Sequence, residues 1–319
     1  MISRRDVLIA ACAAPLWGRG PGRLPAGLWP VMLTPFRADR SIDWRALDAI
    51  TDWYLANGAV GLFACCQSSE VWELTEAERL EVAARVVKRA GRRPVVAGGL
   101  PGFAAGPVGE FVRRLEDSGV AAAVLTTSQV AAKPEPDSVW RERVEAILAA
   151  APGLPFGLYE APSPYKRLLT PEMMAWAGRT GRFVFHKDTT CELEAVLAKV
   201  RAAQGTAVGI FNAHVPILVD SIRGGAHGFS GIAANAYPNV VARAVGQARK
   251  RGAEAGRLQR FLTEGEPTLS LRYPLSAKLM AAWAGVPIAP VCRRKVVELT
   301  AEQTERLRGL RAAADRLRS

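Results

Sequence analysis

The alternation of short apolar runs with helix-like segments constrains the fold of this chain more than any other feature. Eight such runs follow one another at intervals of roughly 20–35 residues, and a helical pattern follows nearly every one. Short, continuously apolar strands are typical of a parallel sheet that is covered by helices. The predicted strands cover residues 29–33, 59–66, 94–97, 121–126, 156–159, 183–187, 207–211 and 228–232.

Eight βα units are the count of a (β/α)8 TIM barrel, and we predict that fold. The alternative is a doubly wound sheet, but no glycine-rich phosphate loop follows the first apolar run. After residue 250 the period changes, and helical patterns near residues 256–263, 268–284 and 300–317 predict a C-terminal helical extension. The predicted organisation is therefore a signal and linker over residues 1–26, a barrel over 27–250 and the extension over 251–319.

The first residues resemble a twin-arginine export signal. Arg4 and Arg5 precede a mildly apolar run that is too short to span a bilayer. The expected location is therefore periplasmic or exported, without stable membrane insertion. The alternative is a cytoplasmic protein in which an arginine pair falls near the start by chance.

Charge and cysteine content narrow the possible partners. The formal net charge is +12, but the arginines are scattered and accompany no nucleic-acid-binding motif, so a solvated surface is favoured over a nucleic-acid interface. The five cysteines show no CxxC spacing and form no ligand pattern with the histidines, so we expect no metal site. Buried free thiols are the default, although a disulfide between Cys66 and Cys191 stays open.

One lysine stands at the end of an apolar strand. Lys187 closes residues 183–187, where a buried ammonium is costly unless it is paired or functional. It is either a Schiff-base amine or the partner of a nearby carboxylate. By strand alternation, His186 should point away from Lys187. Catalytic residues of barrels lie at the carboxyl ends of the strands, where Tyr159 also falls.

The polar residues expected at this end of the barrel suit a 2-keto acid. An amine attacks the carbonyl carbon, a phenol moves protons, and hydroxyl and amide groups hold the carboxylate. We therefore predict Lys187 and Tyr159 as catalytic residues. The predicted substrate-binding residues are Gln67, Ser68, Thr34 and Ser230.

Six motifs in order give the chain a resemblance to the dihydrodipicolinate synthase and N-acetylneuraminate lyase family of class I aldolases. The resemblance runs from about residue 27 to 310. It implies a barrel with a C-terminal helical extension, usually a tetramer, a Schiff-base lysine at Lys187, a proton-transfer tyrosine at Tyr159 and no cofactor. The motifs are Thr34-Pro35-Phe36, Glu70 with Leu74-Thr75, Pro94-Val95-Val96-Ala97-Gly98, Tyr159-Glu160-Ala161-Pro162, Lys187-Asp188 and Gly225-Ala226-His227-Gly228-Phe229-Ser230.

The chain departs from the family pattern at three loops. The family has Gly-Thr-Thr-Gly-Glu after the second strand, where this chain has residues 66–70 with the sequence CQSSE, and Glu70 is expected to hold loop backbone. Residues 128–130 lack the relay phenol of the synthase branch. The synthase's arginine after the fifth strand falls at Pro164, with Lys166 or Arg167 as substitutes.

These departures weaken the expectation of the lysine-biosynthesis reaction and leave the amine and main phenol in place. We predict a Schiff-base lyase or aldolase that acts on a 2-keto acid, either pyruvate-like or sugar-derived. The alternative is an exported barrel that binds a small acid or a partner without turnover.

Overall fold

The computed structural model of the protein describes residues 22–250 and 252–317. The predicted export signal therefore lies outside the described residues. Eight parallel strands form one sheet in the order β1-β8-β7-β6-β5-β4-β3-β2. The strands are β1 (Gly27–Leu28), β2 (Leu62–Ala64), β3 (Val95–Ala97), β4 (Ala122–Thr126), β5 (Phe156–Tyr159), β6 (Phe183–Asp188), β7 (Gly209–Asn212) and β8 (Gly228–Phe229).

The sheet curls so that its first and last strands meet. β1 pairs with β8, and isolated parallel bridges join Leu28 to Ala59 and Val31 to Phe63. The predicted strand over residues 29–33 is reduced to these bridges. Pro30 has no N–H to donate to a ladder, which accounts for the interruption. The fold is TIM-barrel-like, as the count of βα units predicts.

Helices follow the strands and cover the sheet. Asp43 begins the first helix by accepting a hydrogen bond from the backbone N–H of Ala46, and Thr75 and Glu78 form the predicted capping box of the second. The helices up to residue 250 are α1 (Trp44–Ala56), α2 (Glu76–Ala90), α3 (Ala105–Asp117), α4 (Thr127–Val130), α5 (Asp137–Ala150), α6 (Pro171–Arg179), α7 (Leu193–Ala202), α8 (Leu218–Arg223) and α9 (Pro238–Ala248).

Aromatic rings fill the interior of the barrel. The ring centroids of Phe185 and Phe211 lie 4.7 Å apart, and that of Trp29 lies 5.5 Å from each of them. The ring of Phe63 lies 5.6 Å from that of Phe185. Phe185 and Lys187 point to the same side of β6 because side chains alternate along a strand. The lysine therefore extends from an apolar floor.

Three helices follow residue 250, with boundaries that differ from the prediction. They are α10 (Ala253–Leu269), α11 (Leu275–Trp283) and α12 (Ala301–Asp315). α10 continues through Pro267, where the sequence predicted a break, because a proline near a helix end costs few backbone hydrogen bonds. α10 packs against α9, and α12 packs against α10 and α11. Across residues 22–250 and 252–317, no helix combines the length and apolar character that a membrane span requires.

Candidate active site

Lys187 ends β6 beside the end of β5. Its Cα pairs with that of Tyr159 in the parallel ladder, and its Nζ lies 4.2 Å from the centroid of the Tyr159 ring. The lysine is only 3% exposed. Burial disfavours the ammonium and lowers the pKa of Lys187 to about 8. A substantial fraction of this amine is therefore neutral, and so nucleophilic, near physiological pH.

A cavity of about 430 Å³ opens above Lys187 at the carboxyl ends of the strands. Four of the six predicted site residues line it, namely Lys187, Tyr159, Gln67 and Ser68. The structure does not place Thr34 or Ser230 on the cavity wall. Both are buried, and their hydroxyls have no hydrogen-bond partner among the described residues.

The phenol of Tyr159 points toward the second-strand loop. Its hydroxyl donates to Oε1 of Gln67 at 3.4 Å, which links two of the predicted site residues directly. Burial raises the pKa of Tyr159 well above its ordinary value. The group is therefore a neutral phenol that can donate a proton and recover it from a neighbour.

A buried charged cluster lies on the opposite face of β5 and β6. Lys199 Nζ donates to Glu160 at 2.5 Å and to Asp188 at 2.8 Å, and His186 Nε2 lies 3.6 Å from both carboxylates. His186 thus points away from Lys187, as strand alternation predicts. The two carboxylates and the imidazole are a donor set that a metal could use, but the ammonium of Lys199 already supplies their positive charge.

Glu70 holds backbone, as the sequence predicts, although the backbone belongs to a distant segment. Its Oε2 accepts from the N–H groups of Arg293 and Arg294 at 2.7 and 2.9 Å. Its Oε1 accepts from Nζ of Lys278 at 2.6 Å. The second-strand loop is therefore tied to the chain that follows α11.

Three cavity residues come from beyond residue 250 and were missed by the sequence reasoning. They are Glu266 on α10, Tyr273 after that helix and Arg294 after α11. Burial raises the pKa of Glu266 to about 7. No strand-end motif marks these positions, because they reach the cavity only through the packing of the last helices.

Two alternatives that the sequence left open are resolved by geometry. Lys166 lines the cavity, whereas Arg167 donates to Asp137 at 2.6 Å and to the carbonyl of Glu135, which removes it from the cavity wall. Cys66 and Cys191 are free thiols.

The comparisons with known proteins agree on one family. The family model described as the dihydrodipicolinate synthetase family matches residues 24–313. A 4-hydroxy-tetrahydrodipicolinate synthase of Anaeromyxobacter dehalogenans is 28% identical over 223 residues, which cover 70% of this chain and 74% of the relative. A synthase of the same name from Oceanobacillus iheyensis is 25% identical over 88% of this chain and 94% of its own length.

Solved structures show the same fold at lower identity. The dihydrodipicolinate synthase of Acinetobacter baumannii, solved with pyruvate, superposes with a TM-score of 0.81 at 22% identity, covering 91% of this chain and 99% of its own. A prophage protein of the family from E. coli K12, also solved with pyruvate, gives a TM-score of 0.82 at 20% identity, covering 91% and 98%. These likenesses establish the fold.

Proposed function

Because the chain belongs to the dihydrodipicolinate synthetase family, we propose that it is a Schiff-base-forming lyase or aldolase that acts on a 2-keto acid, either pyruvate-like or sugar-derived. The observation that carries the proposal is the buried amine of Lys187, which lies at a strand end and lines the cavity beside Tyr159. Family membership does not favour the alternative of a barrel that binds without turnover.

The proposed reaction needs only groups that the cavity provides. The neutral Nζ of Lys187 adds to the carbonyl carbon, and the resulting carbinolamine loses water to give an iminium. Loss of a proton from the adjacent carbon gives an enamine, which adds to a carbonyl electrophile. Cleavage follows the same steps in reverse, and hydrolysis frees the lysine. Tyr159 is placed to pass protons to and from the oxygen atoms in these steps.

Reductive trapping tests the proposal directly. Borohydride added with pyruvate, or with other members of a keto-acid panel, should reduce the iminium and leave a stable mass on the peptide that contains Lys187. Absence of an adduct with every keto acid in the panel would contradict the proposal, whereas an adduct without any turnover would revive the binding alternative.

Adduct formation should depend on pH in a direction set by the lowered pKa of Lys187. The amine reacts only when neutral, so below a pH of about 8 its reactive fraction should fall about tenfold per pH unit, and above that pH it should level off. Initial rates of adduct formation, read by mass spectrometry after a borohydride quench between about pH 6 and 10, measure this profile. A rate that still climbs steeply at pH 10 would indicate an ordinary exposed lysine.

Tyr159→Phe should separate imine formation from proton transfer. The variant keeps the ring against Lys187 and loses the hydroxyl that donates to Gln67. We expect the trapped adduct to persist, while exchange of the methyl hydrogens of pyruvate for deuterium slows about 100- to 10,000-fold, the usual contribution of a positioned acid or base. NMR in D₂O measures the exchange. Unchanged exchange would assign the proton transfer to another group.

Three further properties belong to the same proposal. We assign residues 27–250 to the barrel and 251–319 to a C-terminal extension, supported by the packing of α10 to α12. We propose a homo-oligomer, a tetramer by family resemblance, which light scattering would test.

We also propose that the protein is exported through the Arg4-Arg5 signal. A fusion of residues 1–26 to a reporter tests this, because the signal should direct the reporter out of the cytoplasm.

A further inference from the structure

The segment after α11 brings one of two neighbouring arginines to the cavity. Arg293 turns toward α2 and donates two hydrogen bonds to Glu78, at 2.6 and 2.7 Å. Arg294 lies on the wall of the cavity that contains Lys187. The charge of Arg293 is therefore neutralised by a carboxylate, while that of Arg294 is directed toward the space where a ligand would bind.

Arg294 is held in this position by buried support. The backbone N–H of Arg294 donates to Glu70, and the ammonium of Lys278 neutralises the same carboxylate. Glu70 is 3% exposed and Lys278 is fully buried, so this contact is protected from water. Glu70 directly follows the turn that contains Gln67 and Ser68. The arginine is thereby fixed beside the part of the wall that the sequence predicts to bind the carboxylate.

The guanidinium of Arg294 retains donors for a ligand. Among residues 22–250 and 252–317 its one hydrogen-bond acceptor is the backbone carbonyl of Tyr273, and it forms no ion pair. A guanidinium has five N–H donors in a planar fork that matches a carboxylate. The other cation near the Tyr159 loop, Lys166, is exposed and lacks this fork.

The cavity wall that holds Arg294 also carries hydroxyl and amide groups and one carboxyl group, that of Glu266. The amide of Asn235 donates to the hydroxyl of Tyr273 at 2.7 Å, and Ser68 lies on the same wall. A keto-acid anion that leaves water for this cavity needs a positive partner, which hydroxyls alone do not supply. The neutral amine of Lys187 that reacts carries no charge, and it becomes cationic only once the iminium has formed, so binding of the keto acid before that step calls for a separate cation.

We propose that Arg294 binds the carboxylate of the 2-keto acid whose carbonyl reacts with Lys187, an inference that rests on the proposed function. Arg294 supplies from the C-terminal segment a positive charge on the same cavity wall as Gln67 and Ser68, which stand where the family pattern has glycine-flanked threonines. The site therefore selects carbonyl compounds that carry an adjacent carboxylate over neutral carbonyl compounds of the same size.

The test compares pyruvate with its neutral methyl ester in the full-length protein. The concentration that gives half-maximal trapping at Lys187 is measured for both compounds in wild type, Arg294→Gln and Arg294→Lys. We expect Arg294→Gln to raise the value for pyruvate about 10- to 100-fold, the effect of losing a charged hydrogen-bond partner, and to leave the value for the ester within about twofold. Arg294→Lys should fall between, since it keeps the charge and loses the fork.

Controls separate this role from general damage. Arg92→Gln removes an exposed arginine far from the cavity and should change neither value. Equal weakening of both compounds in Arg294→Gln, or no change in either, would overturn the inference. Weakening confined to 2-oxoglutarate, which has a second carboxylate, would also overturn it by placing Arg294 at the distal end. Wild type that traps neither pyruvate nor its ester would remove the proposed function and this inference together.

Discussion

Lys187→Ala should abolish the trapped adduct and lower kcat/KM by at least about 1,000-fold, because the proposed covalent intermediate is bonded to the Nζ of Lys187. Truncation removes the amine from the end of β6 and leaves the aromatic floor of Phe63, Phe185 and Phe211 in place. The protein should therefore stay folded, and losing a buried charge-bearing group should not reduce its stability. Peptide mass mapping after borohydride and deuterium exchange into pyruvate measure the two losses.

Lys166→Ala provides the matched control for this experiment. Lys166 lines the same cavity but is exposed, and its side chain hydrogen-bonds only to the thiol of Cys191, at 3.9 Å, among the residues described. It should retain the adduct on Lys187 and most of the exchange activity. A trapped adduct found on Lys166 in the wild type, or any adduct in Lys187→Ala, would refute the assignment of Lys187 as the nucleophile.

Lys199→Met should destabilise the protein by about 3–5 kcal/mol, because it removes one partner from a fully buried charge cluster. Methionine has nearly the length of lysine, so the change deletes the charge and leaves most of the packing. Glu160 and Asp188 would then keep their backbone donors and the imidazole of His186, 3.6 Å from both, but would lose the ammonium between them. Unfolding by urea, followed by circular dichroism at pH 7, measures the loss.

The exposed residue Lys88 offers the comparison, since Lys88→Met should alter the free energy of unfolding by less than about 0.5 kcal/mol.

The stability that the cluster contributes should also depend on pH. Burial alone would raise the pKa of Asp188, but its contacts to His186 and Lys199 outweigh burial and lower it. A lowered pKa stabilises the fold above about pH 4, and this contribution is lost as the pH falls further. The difference between wild type and Lys199→Met should accordingly shrink in acid. A stability loss below about 1 kcal/mol at pH 7 would contradict this prediction, because it would mean that the cost of desolvating Lys199 nearly cancels its attraction to the two carboxylates.

The parts of the site that lie on strands could be predicted because strand periodicity fixes them. Lys187 and Tyr159 end neighbouring parallel strands, so one ladder places them side by side. The same alternation sends His186 to the outer face, toward Glu160. Local sequence patterns suffice to predict where such side chains lie, because the strand sets the face of the sheet and the parallel direction sets the end.

The remainder of the wall depends on contacts that no local pattern specifies. The hydrogen bond from the N–H of Arg294 to Glu70 joins residues 224 positions apart. Its formation depends on how α10 and α11 pack, which follows from side-chain fit over many residues and not from periodicity. Thr34 and Ser230, which the sequence predicts as substrate-binding, are not among the residues that line the cavity. Both are buried near strand ends, and burial at that depth depends on packing that strand periodicity alone does not specify.

The contact between Glu70 and the segment after α11 joins two parts of the chain that are synthesised at different times. Lys187 leaves the ribosome more than one hundred residues before Arg294 does. Chains fold from the amino end as they emerge, so a growing chain carries the reactive amine before it carries the arginine that would admit an acid to it. A chain that ends before residue 293 would therefore lack two backbone donors of Glu70 and, under the inference above, the group that binds the acid.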